Sequence, residues 1–150
     1  MLELYKKLIS SKIFKDWKSR NKDSFLCSFV LIDNPQFDFY NKNDTMTSFI
    51  IDKEIEINED EEIFNKSKLL PLDIENIKST KEEILKIVKQ KYQDEKFIKR
   101  ILILQNPKEP VWNITLITKS LKLLNMQIDM NKKILSERFE PLTNFMKRVK

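Results

Sequence analysis

FIKRILILQNPKEPVWNITLITKSLKLLNMQIDMNKKIL, residues Phe97–Leu135, reads as three consecutive strands followed by a short close. The strands are Phe97–Asn106, Val111–Lys119 and Leu121–Asp129. They are rich in branched apolar residues and are separated by Asn, Pro and Lys, which interrupt ladders. In the second strand Trp112, Ile114 and Leu116 share one face, while Asn113, Thr115 and Ile117 share the other. That is the two-residue period of a half-buried strand. Asp129–Lys133 then reads as a turn and Ile134–Phe139 as a short last strand. Ahead of the set, Thr80-Lys81-Glu82-Glu83 matches a capping box, and Ile84, Leu85, Val88 and Tyr92 follow at helical spacing.

Working outward, the first half has a similar order. Leu2–Asn21 predicts one helix with Leu2, Tyr5, Ile9, Ile13 and Trp17 on its apolar stripe and lysines opposite. Phe25–Asp33 predicts a central strand, stopped at Asn34-Pro35. In Gln36–Asn41, Phe37 and Phe39 point one way and Asp38 and Tyr40 the other. Asn41–Asp44 is a hairpin turn, Thr45–Asp52 a third strand and Lys53–Asn58 a half-exposed fourth. The acids Glu59–Glu62 read as a solvated loop. Because the chain has no glycine, Asn34, Asn41, Asn43, Asp44 and Asn131 are the expected positive-φ positions.

The two halves align. Phe29-Val30-Leu31-Ile32-Asp33-Asn34-Pro35 matches Ile101-Leu102-Ile103-Leu104-Gln105-Asn106-Pro107, and Phe37 matches Trp112. Ile51-Asp52 matches Ile128-Asp129. The expectation is one α+β domain over 1–150. It holds tandem helix–strand–strand–strand repeats over 1–64 and 79–140, an apolar connector over 65–78 and a C-terminal helix over 141–149. The repeats form an antiparallel sheet with helices on one face.

The second half, from the capping box through Val111-Trp112-Asn113-Ile114-Thr115-Leu116 to Met126-Gln127-Ile128-Asp129 and Lys133-Ile134-Leu135, resembles a PepSY-type domain. It is also similar to small archaeal PepSY-like proteins of unassigned function. Asn131-Lys132 stands where that family usually turns on a glycine. The resemblance implies a helix followed by an antiparallel sheet, no catalysis, and inhibition or regulation of a partner protein.

Composition narrows the chemistry. The chain has no histidine and one cysteine, Cys27, so zinc and copper sites and a histidine-activated thiol are excluded. The glycine-dependent phosphate loops and the nucleophile elbow are excluded too. No cofactor or metal is expected. Net charge is +5, with Lys147, Arg148 and Lys150 forming a basic end. Nucleic-acid binding through that basic surface is therefore the rival reading, and an enzyme ranks behind it. No apolar run approaches the length of a membrane span, and no secretory leader pattern opens the chain. The expectation is a cytoplasmic module that binds a protein or peptide, or a second copy, through its open sheet face. Tyr40, Asn113 and Thr115 are the candidate contact residues, and Lys108-Glu109-Pro110 marks where the halves differ.

Overall fold

The computed structural model describes residues 1–63 and 69–144. Its centre is an eight-stranded antiparallel sheet accompanied by helices, a mixed α+β architecture. The strands are β1 (Phe25–Leu31), β2 (Pro35–Tyr40), β3 (Thr45–Ile51), β4 (Ile55–Glu62), β5 (Phe97–Gln105), β6 (Val111–Thr118), β7 (Lys122–Asp129) and β8 (Ile134–Pro141). Their spatial order is β4-β3-β2-β1-β5-β6-β7-β8. Two four-strand meanders thus meet at the β1–β5 pair, where Val30 lies opposite Ile103 and Leu31 opposite Leu102. Each set holds the three strands of the expected repeat and a fourth, β4 and β8, at the half-exposed strand and the short last strand that the sequence predicts.

The expected first helix is two helices, α1 (Leu2–Ser10) and α2 (Lys12–Arg20). Ser11 has extended backbone and divides them. Its hydroxyl donates to the Leu8 carbonyl at 2.6 Å and accepts from the Phe14 amide at 3.3 Å. One side chain therefore closes the first helix and caps the second. The break rotates the stripe, so Leu8, Phe14 and Trp17 are the buried residues. The capping box at Thr80 opens α3 (Lys81–Lys91) as the sequence predicts.

Alternate strand residues form one hydrophobic cluster with the helices. Phe37, Phe49, Leu104, Trp112, Ile114, Leu124 and Met126 are buried in it with Leu8, Phe14, Trp17, Ile84 and Val88. Trp17 sits 5.2 Å from Phe39 and 5.1 Å from Phe49, ring centre to ring centre, both edge-on. Such contacts add about 0.5–1.5 kcal/mol each beyond area burial. Leu72 and Ile74 from the connector join the same cluster, and the Leu72 amide donates to the Leu26 carbonyl.

Several local expectations need correction. The acids Glu59–Glu62 lie within β4, not in a loop. An edge strand has one neighbour only, and charge on it discourages pairing with other chains. Asp60 takes φ 51 there, opposite the irregularity between Met46 and Ser48. Asp44, Asp60, Leu121 and Lys132 are the positive-φ residues among those described, so only Asp44 of the expected set has that geometry. The residue-for-residue match of Phe29 with Ile101 also fails. Phe29 belongs to the core cluster, whereas the core residues of β5 are Leu102 and Leu104. Pro35 begins β2, but Pro107 lies in the loop before β6. Pro141 closes β8, helical backbone begins directly after it over 142–144, and the rest of the expected helix over 141–149 falls outside the described residues.

Candidate protein-interaction face

The strand residues that alternate with the core cluster make a second sheet face. Pairing registers define its rows. One row runs Glu56, Ile50, Gln36, Val30, Ile103, Asn113, Gln127, Ser136 across all eight strands. A second runs Asn58, Ser48, Asp38, Ser28, Gln105, Val111, Asp129. A third, on the later strands, runs Ile101, Thr115, Asn125, Arg138. Aliphatic and polar side chains are interleaved, and most of these positions are half-buried.

The polar members are bonded to one another. Asp38 is 6% exposed. It accepts from the Ser28 hydroxyl at 2.8 Å, the Ser48 hydroxyl at 2.7 Å and the Gln36 amide at 2.7 Å. Ser28 and Ser48 are its direct cross-strand neighbours, so register alone delivers two of the three donors. On the other half, the Asn125 amide donates to the Asn113 Oδ1 and the Thr115 Oγ1, each at 3.0 Å. Bonds of this kind remove the desolvation penalty that a bare polar group would incur if the face were covered.

All three sequence-predicted contact residues lie on this face. Asn113 and Thr115 are joined through Asn125. Tyr40 stands apart: β2 and β6 are three strand spacings from each other, about 14 Å. Its ring stacks on Phe25 at 5.6 Å, and its hydroxyl donates to Asp44, a bond that raises the phenol above its ordinary pKa. Lys147, Arg148 and Lys150 lie outside the described residues. Asn125, Ser28, Ser48 and Gln36 were missed by the sequence reading; only the facing of Asp38 away from Phe37 and Phe39 hinted at a polar cluster.

Trp112 is fully buried, and its indole N–H donates to Ser79 Oγ at 2.9 Å. It forms the floor of a cavity of about 340 Å³ between α1, residues 74–82 and β1. Leu2, Leu31 and Ile77 supply apolar wall, and Glu75, Lys81 and Glu82 stand around it. Charges of both signs meet there without a shared focus. Cys27 is buried, and burial pushes its thiol up to about 12, where it is an inert small hydrophobe at neutral pH. Among the described residues no group of three or more Asp, Glu or Cys is placed to hold a metal ion, and no helix is long and apolar enough to cross a membrane.

No known protein family, no curated protein and no solved structure matches this chain.

Proposed function

We propose that the chain is a non-catalytic interaction module, with helices covering one side of its sheet and a protein partner engaging the other. The observation that carries this reading is the bonding on the second face. Asp38 and Asn125 spend their polar atoms on Ser28, Ser48, Gln36, Asn113 and Thr115 rather than directing them outward. A face prepared in this way can be covered at little desolvation cost, while Ile50, Ile103 and Ile117 contribute apolar area. The partner's surface is broad and of mixed polarity, because the face interleaves aliphatic and polar side chains across eight strands. Regulation of that partner follows the resemblance to PepSY-type domains. The helix–strand order of the two halves supports reading them as a duplication, with the match of strands kept and the match of single residues loosened.

Capture of partners from nuclease-treated lysate tests this reading, with Thr115→Lys on the second face and Lys86→Glu on α3 as paired variants. The expected result is loss of one stable protein partner with Thr115→Lys only. Recovery of nucleic acid alone, abolished by nuclease and by Lys86→Glu, would replace it with the nucleic-acid reading. That alternative has to contend with the acidic first half of the sheet.

A further inference from the structure

We infer that the occupant of the second face is a second copy of this chain, related by a twofold axis that lies in the interface and runs parallel to the strands. This rests on the interaction reading above and names its partner. Two independent observations carry it.

The first is area. Eight strands at about 4.8 Å spacing, each of about seven residues at roughly 3.3 Å rise, make a face of about 34 by 23 Å, close to 800 Å². A stable interface of standard size buries about 800 Å² on each partner, and two sheets pack face to face about 10 Å apart with nearly aligned strands. One face covering one face meets that size without help from any other element.

The second is charge. Residues 25–62, which span β1 to β4, carry ten acids and two bases, a formal charge of −8. Residues 97–140, which span β5 to β8, carry four acids and eight bases, a formal charge of +4. An axis parallel to the strands lays the β4 side of one copy over the β8 side of the other, so unlike halves meet twice. An axis perpendicular to the strands would lay the β4 side on itself, Glu56 included. On the face itself, the charges that this axis brings together are Glu56 of one copy and Arg138 of the other, a pairing that the twofold makes twice.

The geometry assigns positions. Val30 and Ile103 lie at the β1–β5 seam and therefore next to the axis, where Val30 of each copy comes to lie over Ile103 of the other. Glu56, at the β4 end of its row, comes to lie over the second copy's Ser136, one position along the face from that copy's Arg138.

Sedimentation equilibrium of the full chain, from about 1 to 100 μM, reads the association directly. The expected mass is twice the 18.1 kDa chain. Ile103→Lys, whose side chain faces away from the core cluster, should leave the far-UV circular dichroism unchanged and produce a monomer. Thr115→Lys serves the same purpose if Ile103→Lys does not fold. Glu56→Arg and Arg138→Glu should each weaken the dimer about tenfold, and the double variant should recover most of that loss. A wild-type chain that is monomeric at the highest concentration overturns the inference. If that monomer still captures a protein partner in a Thr115→Lys-sensitive manner, the interaction reading survives without the second copy. If Ile103→Lys and Thr115→Lys alter neither self-association nor capture, both are overturned. A dimer insensitive to Ile103→Lys, Thr115→Lys and both charge reversals would also overturn the proposed geometry.

Discussion

Asp38→Leu is the most informative single change. It replaces a nearly fully buried carboxylate by an apolar side chain of similar volume and strands three donors, the hydroxyls of Ser28 and Ser48 and the amide of Gln36. A hydrogen bond to a charged acceptor contributes about 1.5–3 kcal/mol, and the three are not additive because they share one group. Burial of the leucine side chain returns about 1–2 kcal/mol. The two hydroxyls can rotate toward backbone or water, which leaves a net loss of about 3 kcal/mol. Asp38→Asn behaves differently. Its oxygen can still accept from Ser48 and Gln36, and its amide can donate to the Ser28 hydroxyl, which is free to accept. The cost of Asp38→Asn should be about 1 kcal/mol. Urea unfolding followed by far-UV circular dichroism measures both, with a lowering of the melting temperature by about 9 °C for Asp38→Leu as a second readout. If Asp38→Leu lies within about 0.5 kcal/mol of wild type, the polar cluster contributes no structural order and the case for a pre-bonded face collapses.

Two further outcomes follow from named geometry. Leu121 holds φ 61 in the β6–β7 turn and is 59% exposed, so its branched side chain bears the left-handed penalty with little burial to offset it. Leu121→Asn should stabilise the protein by about 0.5–1 kcal/mol in the same urea assay, and a destabilisation would show that the leucine packs usefully. Glu137 accepts from Lys91 Nζ and from the Tyr92 hydroxyl, and these bonds, the Lys91 one foremost, hold its carboxyl below the usual carboxylate range. Its contribution to stability is therefore complete above the ordinary carboxylate pKa and is lost as pH falls through the depressed one. Glu137→Gln should lower the melting temperature at neutral pH and approach wild type under acid conditions. Parallel melting curves across that range would contradict the assignment.

The sequence revealed elements more readily than the relations between them. Trp112, Ile114 and Leu116 announce β6 by alternation, and the same alternation correctly turns Asn113 and Thr115 to the second face. Their common partner, Asn125, was invisible because it depends on the β6–β7 register. Asp38 could be seen to face away from Phe37 and Phe39, but its burial comes from Ser28 and Ser48 on neighbouring strands. Ser11 was hidden inside a helical period that continues across it; only its hydroxyl geometry makes it a stop and a start. The acids of β4 have low strand propensity, and what places them in a strand is the neighbour β3, not their own preference. Leu121 and Lys132 take positive φ because the turns put them there in a chain without glycine, so composition pointed to the wrong residues.

The strand order has a consequence for assembly in time. Within each meander every ladder joins strands adjacent in sequence, so hairpins can close over short loops. The β1–β5 ladder instead joins Ser28 to Gln105, 77 positions away. Closing that span costs about 2 kcal/mol more in chain entropy than closing a hairpin of a few residues. Two meanders can therefore form early and zip together late. Until they do, β1 and β5 are apolar edges with no partner, and the same edge is offered by every other molecule in the same state. Exchange of whole halves between two chains would make the same β1–β5 ladder as closure within one, so the ratio of swapped to closed chains should rise with concentration during refolding.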